Sequence, residues 1–382
     1  TPDPESGLTF DPEDIVYIVS HKLRLWFITK DSNIGWYLPV RSYAGVATPF
    51  FYGAKFKHGG DLVGLYNWTQ DGGDGRDDAL VAVSRGGDVM PYTGDDPSSD
   101  MTWENTGVFF IGQVPRGRRI ASEYGGNLVL LSTNGVISMG SLMSGAVADD
   151  PNRDGIGAGI SRLVRLDMRS LKNQHGWAIN FISDESVFVV NTPLRTSDDT
   201  YRQYVMNTTR YAWGLWRDVP YVCGNAFDGD ILIGDPDGRV LRMDTSVDNV
   251  DTDGLGGDDI KWFVLTSFTS AGEPGLKKRV QFIRPYFSAL DSRPTFSTTA
   301  LYEYLAIEPL TPTEAPPNVG GSLWDTALWD IDNWSAPQRL PYKAVRGASG
   351  LGTVFAVAMT GRSRGNTLFA GWDVAWDTGG FL

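Results

Sequence analysis

One phrase recurs along this chain and limits what the chain can become. It is clearest from Gly59 to Trp103, GGDLVGLYNWTQDGGDGRDDALVAVSRGGDVMPYTGDDPSSDMTW. Two glycines open a short apolar run, Leu62 to Tyr66, and an acidic Gly-rich loop follows, Asp71 to Asp78. Then come Ala79 to Ser84, a turn at Arg85-Gly86-Gly87, and a last run from Asp88 to Tyr92. Short runs rich in Val, Leu and Tyr, bounded by Gly and Asp, form β-hairpins. Gly supplies positive φ at the turns, and Asp bonds its own backbone there.

The phrase returns four times. Leu23 to Ile28, turn Asp31-Ser32-Asn33 and Gly35 to Leu38 form one copy. Leu128 to Leu131, turn Asn134-Gly135 and Val136 to Ser138 form another, led by Gly125-Gly126. A weaker one joins Trp177 to Ile182 and Val187 to Val190 through Ser183-Asp184-Glu185. The last runs from Ile231 to Ile233, through Asp235-Pro236-Asp237-Gly238, to Val240-Leu241-Arg242. The turns lie about 50 residues apart, and a step of that size with several short strands per unit is the mark of a β-propeller blade.

A Gly-rich β protein of this kind needs large side chains to hold it. The chain supplies 13 Trp, 15 Tyr and 18 Phe in 382 residues. Burying ~200 Å² of one aromatic at ~25 cal/mol per Å² contributes about 5 kcal/mol. That offsets the ordering entropy of about three residues. The net charge of −13 and the lack of a basic run argue against sequence-specific nucleic-acid binding. An acidic surface can still line a passage to which nucleic acid must not adhere. One cysteine, Cys223, rules out an intrachain disulfide framework. No apolar run reaches transmembrane length and no signal peptide is visible. The chain starts TPDPESG without an initiator Met, which reads as a cleavage point or a truncated start of a longer parent.

The pattern predicts an all-β protein in two domains. Residues 1–248 form a β-propeller-like domain, 249–259 an acidic Gly-rich linker, and 260–382 a β-rich platform domain with longer strands at Lys261 to Thr269, Lys277 to Ala289, Thr295 to Leu305, Arg339 to Ala348 and Thr353 to Gly361. Tyr211, Trp213 and Trp216 are expected to close a blade core. SRLVRLDMRSLK, Ser161 to Lys172, is the one helix candidate, with Ser161 as its N-cap.

Several constellations could carry chemistry, and each has a plainer reading. Asp150-Pro151-Asn152-Arg153-Asp154-Gly155 matches the first half of a calcium loop, but Ser161 stands where a bidentate Glu is needed. An acidic surface turn fits better, as it does for Asp71 to Asp78 and Asp251 to Asp259. Thr69-Gln70-Asp71-Gly72-Gly73 resembles the Asp-box turn of sialidase propellers without its aromatic residue. His21, His58 and His175 share no metal-ligand spacing and read as exposed or turn histidines. Cys223 reads as a buried inert thiol. Arg116-Gly117-Arg118-Arg119 is an exposed basic turn, or else a contact for phosphate or an acidic partner. The pairs Trp324-Asp325, Trp329-Asp330, Trp372-Asp373 and Trp376-Asp377 are too close together to be WD repeats. They read as a tryptophan belt packing this domain or a neighbouring subunit, with carbohydrate stacking as the alternative. No nucleophile elbow, P-loop or dinucleotide fingerprint stands in strand–helix context. No catalytic, cofactor-binding or metal-binding residue is therefore assigned.

With these motifs in view, the chain resembles the tail proteins of short-tailed bacteriophages. The resemblance is carried by RLWFITKDSNIGWYLPV, by the Gly59 to Trp103 stretch, by GVFFIGQVPRG, by the linker and KKRVQFIRPYFSA, and by the closing Trp-Asp run ending DTGGFL. It spans about Arg24 to the C-terminus and is patchy between 140 and 200. It implies a tail nozzle, also called tail tubular protein B. Such a protein sets a β-propeller beside a β-rich platform and assembles as a hexameric ring below the tail adaptor. It forms the channel through which the genome leaves, offers surfaces to tail fibre proteins, and has no catalytic residues or cofactor. Known relatives carry a segment before the first motif here, which agrees with truncated first blades. The resemblance thus implies a structural virion component, located in the tail, that passes DNA without reading it. The rival expectation is a glycan-processing (sialidase-like) or glycan-binding β-propeller.

Overall fold

A computed structural model describes residues 2–71, 76–145, 156–157, 159–182, 186–195, 200–228, 230–243, 257–290, 293–314, 339–343, 345–365 and 367–381. The chain divides into two compact units, Thr1–Met243 and Asp244–Leu382. Both are built from antiparallel sheets, and the protein is all-β apart from short helices.

In the first unit five antiparallel sheets follow one another along the chain. The first holds β1 (Ile15–His21), β2 (Arg24–Thr29), β3 (Ile34–Tyr37) and β4 (Thr48–Phe51) in that order. The second holds β5 (Leu62–Asp71), β6 (Arg76–Ser84), β7 (Asp88–Gly94) and β8 (Trp103–Asn105), with β9 (Phe109–Phe110) also on β7. The third is β10 (Ala121–Tyr124), β11 (Asn127–Ser132) and β12 (Gly135–Ser138). Two helices, α1 (Met139–Met143) and α2 (Ser161–Leu171), precede the fourth sheet. That sheet is β13 (Ala178–Ile182), β14 (Val187–Asn191), β15 (Arg202–Asn207) and β16 (Ala212–Arg217). The fifth is β17 (Cys223–Phe227), β18 (Asp230–Gly234) and β19 (Val240–Arg242).

Successive side chains of a strand point to opposite faces, so a strand apolar at every position must be covered on both. The Ala79 to Val83 run of β6 is of this kind. Leu80 and Ala82 join Trp26, Ile28, Tyr92 and Trp103 in a core shared with the first sheet. Ala79, Val81 and Val83 face the other way, into a core with Leu128, Leu130, Phe188 and both helices. A third core joins Ile182, Val189 and Val205 of the fourth sheet to Ile231 and Ile233 of the fifth. The sheets therefore pack face to face in chain order. Their first strands, β1, β5, β10, β13 and β17, also pack one against the next. No closed barrel or propeller is evident among the described residues.

Tight turns set this pattern. Gly125 and Gly126 both take positive φ between β10 and β11, the requirement of a two-residue turn that matches strand twist. Gly87, at φ 100°, has no room for a side chain, because a Cβ there would overlap the Gly112 carbonyl.

The recurring phrase falls on β2–β3, β6–β7, β11–β12 and β18–β19, but in the fourth sheet it falls one hairpin early, on β13–β14. The apolar GVFFIGQVP segment, Gly107 to Pro115, contributes only the two residues of β9 to a sheet. Ser161 is not the N-cap of α2: Ile160 holds that position, and Ser161 Oγ turns back to donate to the Gly157 carbonyl at 2.6 Å. The short helix α1 escaped the sequence reading. Ser138 caps it by accepting from the Ser141 amide. Tyr211 does not enter the blade core: it is exposed, at positive φ, in the turn before β16. Trp213 does enter, packing edge-on to Phe188.

The second unit contains β20 (Ile260–Leu265), β21 (Leu276–Leu290), β22 (Thr295–Tyr302), β23 (Arg339–Lys343), β24 (Arg346–Gly347), β25 (Phe355–Ser363) and β26 (Thr367–Phe381). One sheet runs β20-β25-β22; in the other, β21 pairs with β23, β24 and β26. β21 and β26 each hold 15 residues, a ribbon of roughly 50 Å at strand rise. Val280 and Ile283 of β21 meet Ala300, Phe355 and Val357 of the other sheet, with Trp372 and Val374 of β26 alongside. Lys278 is wholly buried here, its Nζ donating to the Thr353 carbonyl at 2.9 Å and to the Glu273 carbonyl.

Candidate functional site

The first strands of the first three sheets bring polar groups together. β1 supplies Tyr17 and His21, β5 supplies Tyr66 and Asn67, and β10 supplies Glu123. Asp78 joins them from β6, opposite Thr69 of β5.

Asn67 links the first two sheets. Its Nδ2 donates to the Ser20 carbonyl at 2.8 Å, which turns its Oδ1 toward His21 Nδ1 at 2.9 Å. Nδ1 of His21 therefore carries the proton. His21 is buried, and its Nε2 has no hydrogen-bond partner. Burial holds its imidazole below the ordinary value, with the Asn67 bond acting weakly the other way.

Tyr17 packs edge-on to Tyr66, ring centroids 5.4 Å apart. Burial pushes the Tyr17 phenol up to about 12, and the charge of Glu123 adds to the shift. Glu123, an exposed residue, is itself raised above its ordinary value, first by partial desolvation and then by the charge of Asp78. Oδ1 of Asp78 is buried without a partner. A carboxyl group whose ionisation is disfavoured by desolvation and a neighbouring negative charge, beside a raised phenol, can hold a proton. Among the described residues no three His, Cys, Asp or Glu side chains gather as a metal site.

A second polar cluster holds the edge of the same sheets. Arg85 donates to both oxygens of Asp61 at 3.3 Å and to the Pro115 carbonyl at 2.6 Å. Arg118 donates to the Leu62 and Val63 carbonyls, each at 2.8 Å. Tyr66 Oη returns a bond to the Arg118 carbonyl at 2.7 Å. The basic turn is thus split. Arg118 is part of the framework, whereas Arg116 and Arg119 are exposed.

The histidines also differ from expectation. His21 is buried rather than exposed, because it ends β1 beneath Asn67 and Trp103. His58 is exposed, but its Nδ1 and its backbone amide both donate to the wholly buried Asp88 at 2.7 Å, and its ring stacks on Phe110. His175 lies exposed in a bend. Cys223 is half-buried, not buried, and lines a cleft beside Arg119. Trp372 packs within the second unit, while Trp376 is partly exposed against Phe355. The calcium-like loop at 150–155, the tip of the Asp-box-like turn, most of the 249–259 linker and the pairs at 324–325 and 329–330 lie outside the described residues. Tyr17, Asp78 and Glu123 were missed in sequence because their meeting depends on three sheets. The one available signal was their position on or beside the strand that opens each unit of the repeat.

Among the described residues no helix is long and apolar enough to cross a membrane. No family model matches the chain. No curated protein matches it.

Proposed function

We propose that this chain is a structural component of a bacteriophage tail, a nozzle of the tail tubular protein B kind, without catalytic activity. In this reading the five sheets of the first unit are blades of a propeller-like domain, and the second unit is the platform. Six copies form a ring below the adaptor, around the path of the ejected genome. The observation that carries the reading is the face-to-face stacking of consecutive sheets, each entering on a first strand that packs against the next. Exposed apolar side chains are available for a neighbouring copy to cover. They include Ile18, Phe227 and Val240 in the first unit and Leu310 and Trp376 in the second. The acidic balance of −13 suits a channel that DNA passes without adhering. Class averages from negative-stain electron microscopy test this reading, which predicts closed rings of six with a central hole.

The second reading is a sialidase-like or glycan-binding propeller. The grouping of Tyr17, Glu123 and Asp78 on or beside the first strands favours it, because glycoside hydrolysis uses a pair of carboxyl groups. Turnover of sialosides that is lost in Glu123→Gln would replace the nozzle reading with this one.

A further inference from the structure

Arg119 is exposed, yet its backbone is fixed. Its carbonyl accepts from the Ile179 amide at 2.8 Å, it bridges in parallel to Ala178, and its neighbour Ile120 is wholly buried. Arg85 and Arg118 are committed to Asp61 and to backbone carbonyls. Arg119 makes no ion pair with any described residue. Its side chain lines a cleft of about 370 Å³, within the usual size range for small-ligand sites, with Asn180, Cys223, Asn225, Leu232 and Val240.

The walls of this cleft are held in place. Asn180 Nδ2 donates to Tyr221 Oη and to the Gly224 carbonyl, which fixes the amide. Gly234 keeps the floor open, since a Cβ there would come within 2.9 Å of Cys223 Sγ. At Gly224, also in the lining, a Cβ would meet the buried Tyr221 ring behind it. Leu232 and the exposed Val240 add apolar surface to the lining. Arg119 lies close enough to Tyr221 for its charge to act on the hydroxyl. A guanidinium is a planar fork matched to carboxylate or phosphate oxygens, amides suit hydroxyl groups, and an aliphatic wall suits the C–H face of a sugar ring.

We propose that this cleft binds a small anionic sugar, whose carboxylate or phosphate is held by Arg119. The site is separate from the Tyr17–Glu123 cluster and needs no catalysis, so it stands whether or not the chain forms a nozzle.

Calorimetric titration of the whole protein tests the proposal. The probes are glucuronate and N-acetylneuraminate for the carboxylate arm, glucose 6-phosphate and inorganic phosphate for the phosphate arm, and glucose as the neutral control. One anionic arm is expected to bind at a single site with Kd below ~10 mM, and glucose to bind at least about tenfold more weakly. Arg119→Gln should lose about tenfold or more in affinity, and Arg119→Lys should recover part of it. Cys223, the chain's one cysteine, gives an independent measure. The bound sugar should slow its alkylation by iodoacetamide in the unmodified protein, with no variant required. Binding of neither arm, equal binding of glucose, or affinity unchanged in a folded Arg119→Gln would overturn the proposal.

Discussion

Tyr204 Oη donates to Asp167 Oδ2 at 2.6 Å, and both side chains are buried between α2 and the fourth sheet. Arg195 pairs with the other carboxylate oxygen, so Asp167 is satisfied on both sides. Removing one partner of a buried charged pair costs far more than the pair contributes, because the other is left desolvated. Asp167→Ala should therefore lower stability by about 3–5 kcal/mol in urea denaturation. Tyr204→Phe, which removes one hydrogen bond and leaves Arg195 in place, should cost about 1.5–3 kcal/mol. Equal losses in the two variants would contradict this account of the helix attachment.

Two glycines separate backbone conformation from space. Gly87 has φ 100° and its Cβ position is filled by the Gly112 carbonyl, whereas Gly125 has φ 57° and nothing within 4 Å. Gly125→Ala should cost about 1–2 kcal/mol, the strain of left-handed backbone alone. Gly87→Ala should cost about 3 kcal/mol or more, because the second sheet must also separate from the segment that leads to the third. Chemical denaturation of both variants checks the order.

Glu123 makes a pH prediction with a definite sign. Its folded-state acidity is weaker than that of an unfolded glutamate, through burial and then the Asp78 charge. The folded state therefore holds the proton longer, and the stability from this group is present below about pH 4.3 and lost as pH rises through the raised value. Glu123→Gln should be more stable than the parent at pH 7, with the gap closing as pH falls toward about 4.3. The effect is small, because solvent screens one side of the residue. A thermal unfolding series in pH would show a constant gap if the account were wrong.

His21 acts in the opposite direction. Burial lowers its folded-state value, so the unfolded chain takes up a proton first as pH falls below about 6.5. Its contribution is present above that pH and is lost as pH falls toward the lowered value. The His21 imidazole resonances in an NMR titration should stay those of the Nδ1–H neutral ring as pH falls through about 6.5, the ordinary imidazole value. A His21 midpoint at or above that value would contradict the burial argument.

Much of the fold could be read from the sequence because turn chemistry is local. Asp31, Gly87, Gly135 and Gly238 each take positive φ at or beside a hairpin turn that the repeat marks, and the flanking strands are apolar enough to be seen. The phase slip in the fourth sheet has a local cause as well. Neither connection in this sheet carries a glycine, and the ten residues from Thr192 to Tyr201 are too long to match the phrase, so the short Ser183-Asp184-Glu185 segment was the stronger signal. Ser161 misled for a similar reason: its hydroxyl bonds backward to Gly157, which propensity cannot distinguish from capping. The polar groups were the least legible. Glu123 lies some hundred residues beyond Tyr17, and His58 looks like a loop residue until Asp88 is seen beneath it.

The central claim is assembly into a nozzle, and the symmetry of purified particles tests it most directly. Negative-stain class averages of this chain are predicted to be six-fold rings with a central hole. Their mass should be six times the 41.9 kDa protomer. Particles that stay monomeric, or rings that are closed without a hole, would contradict the claim.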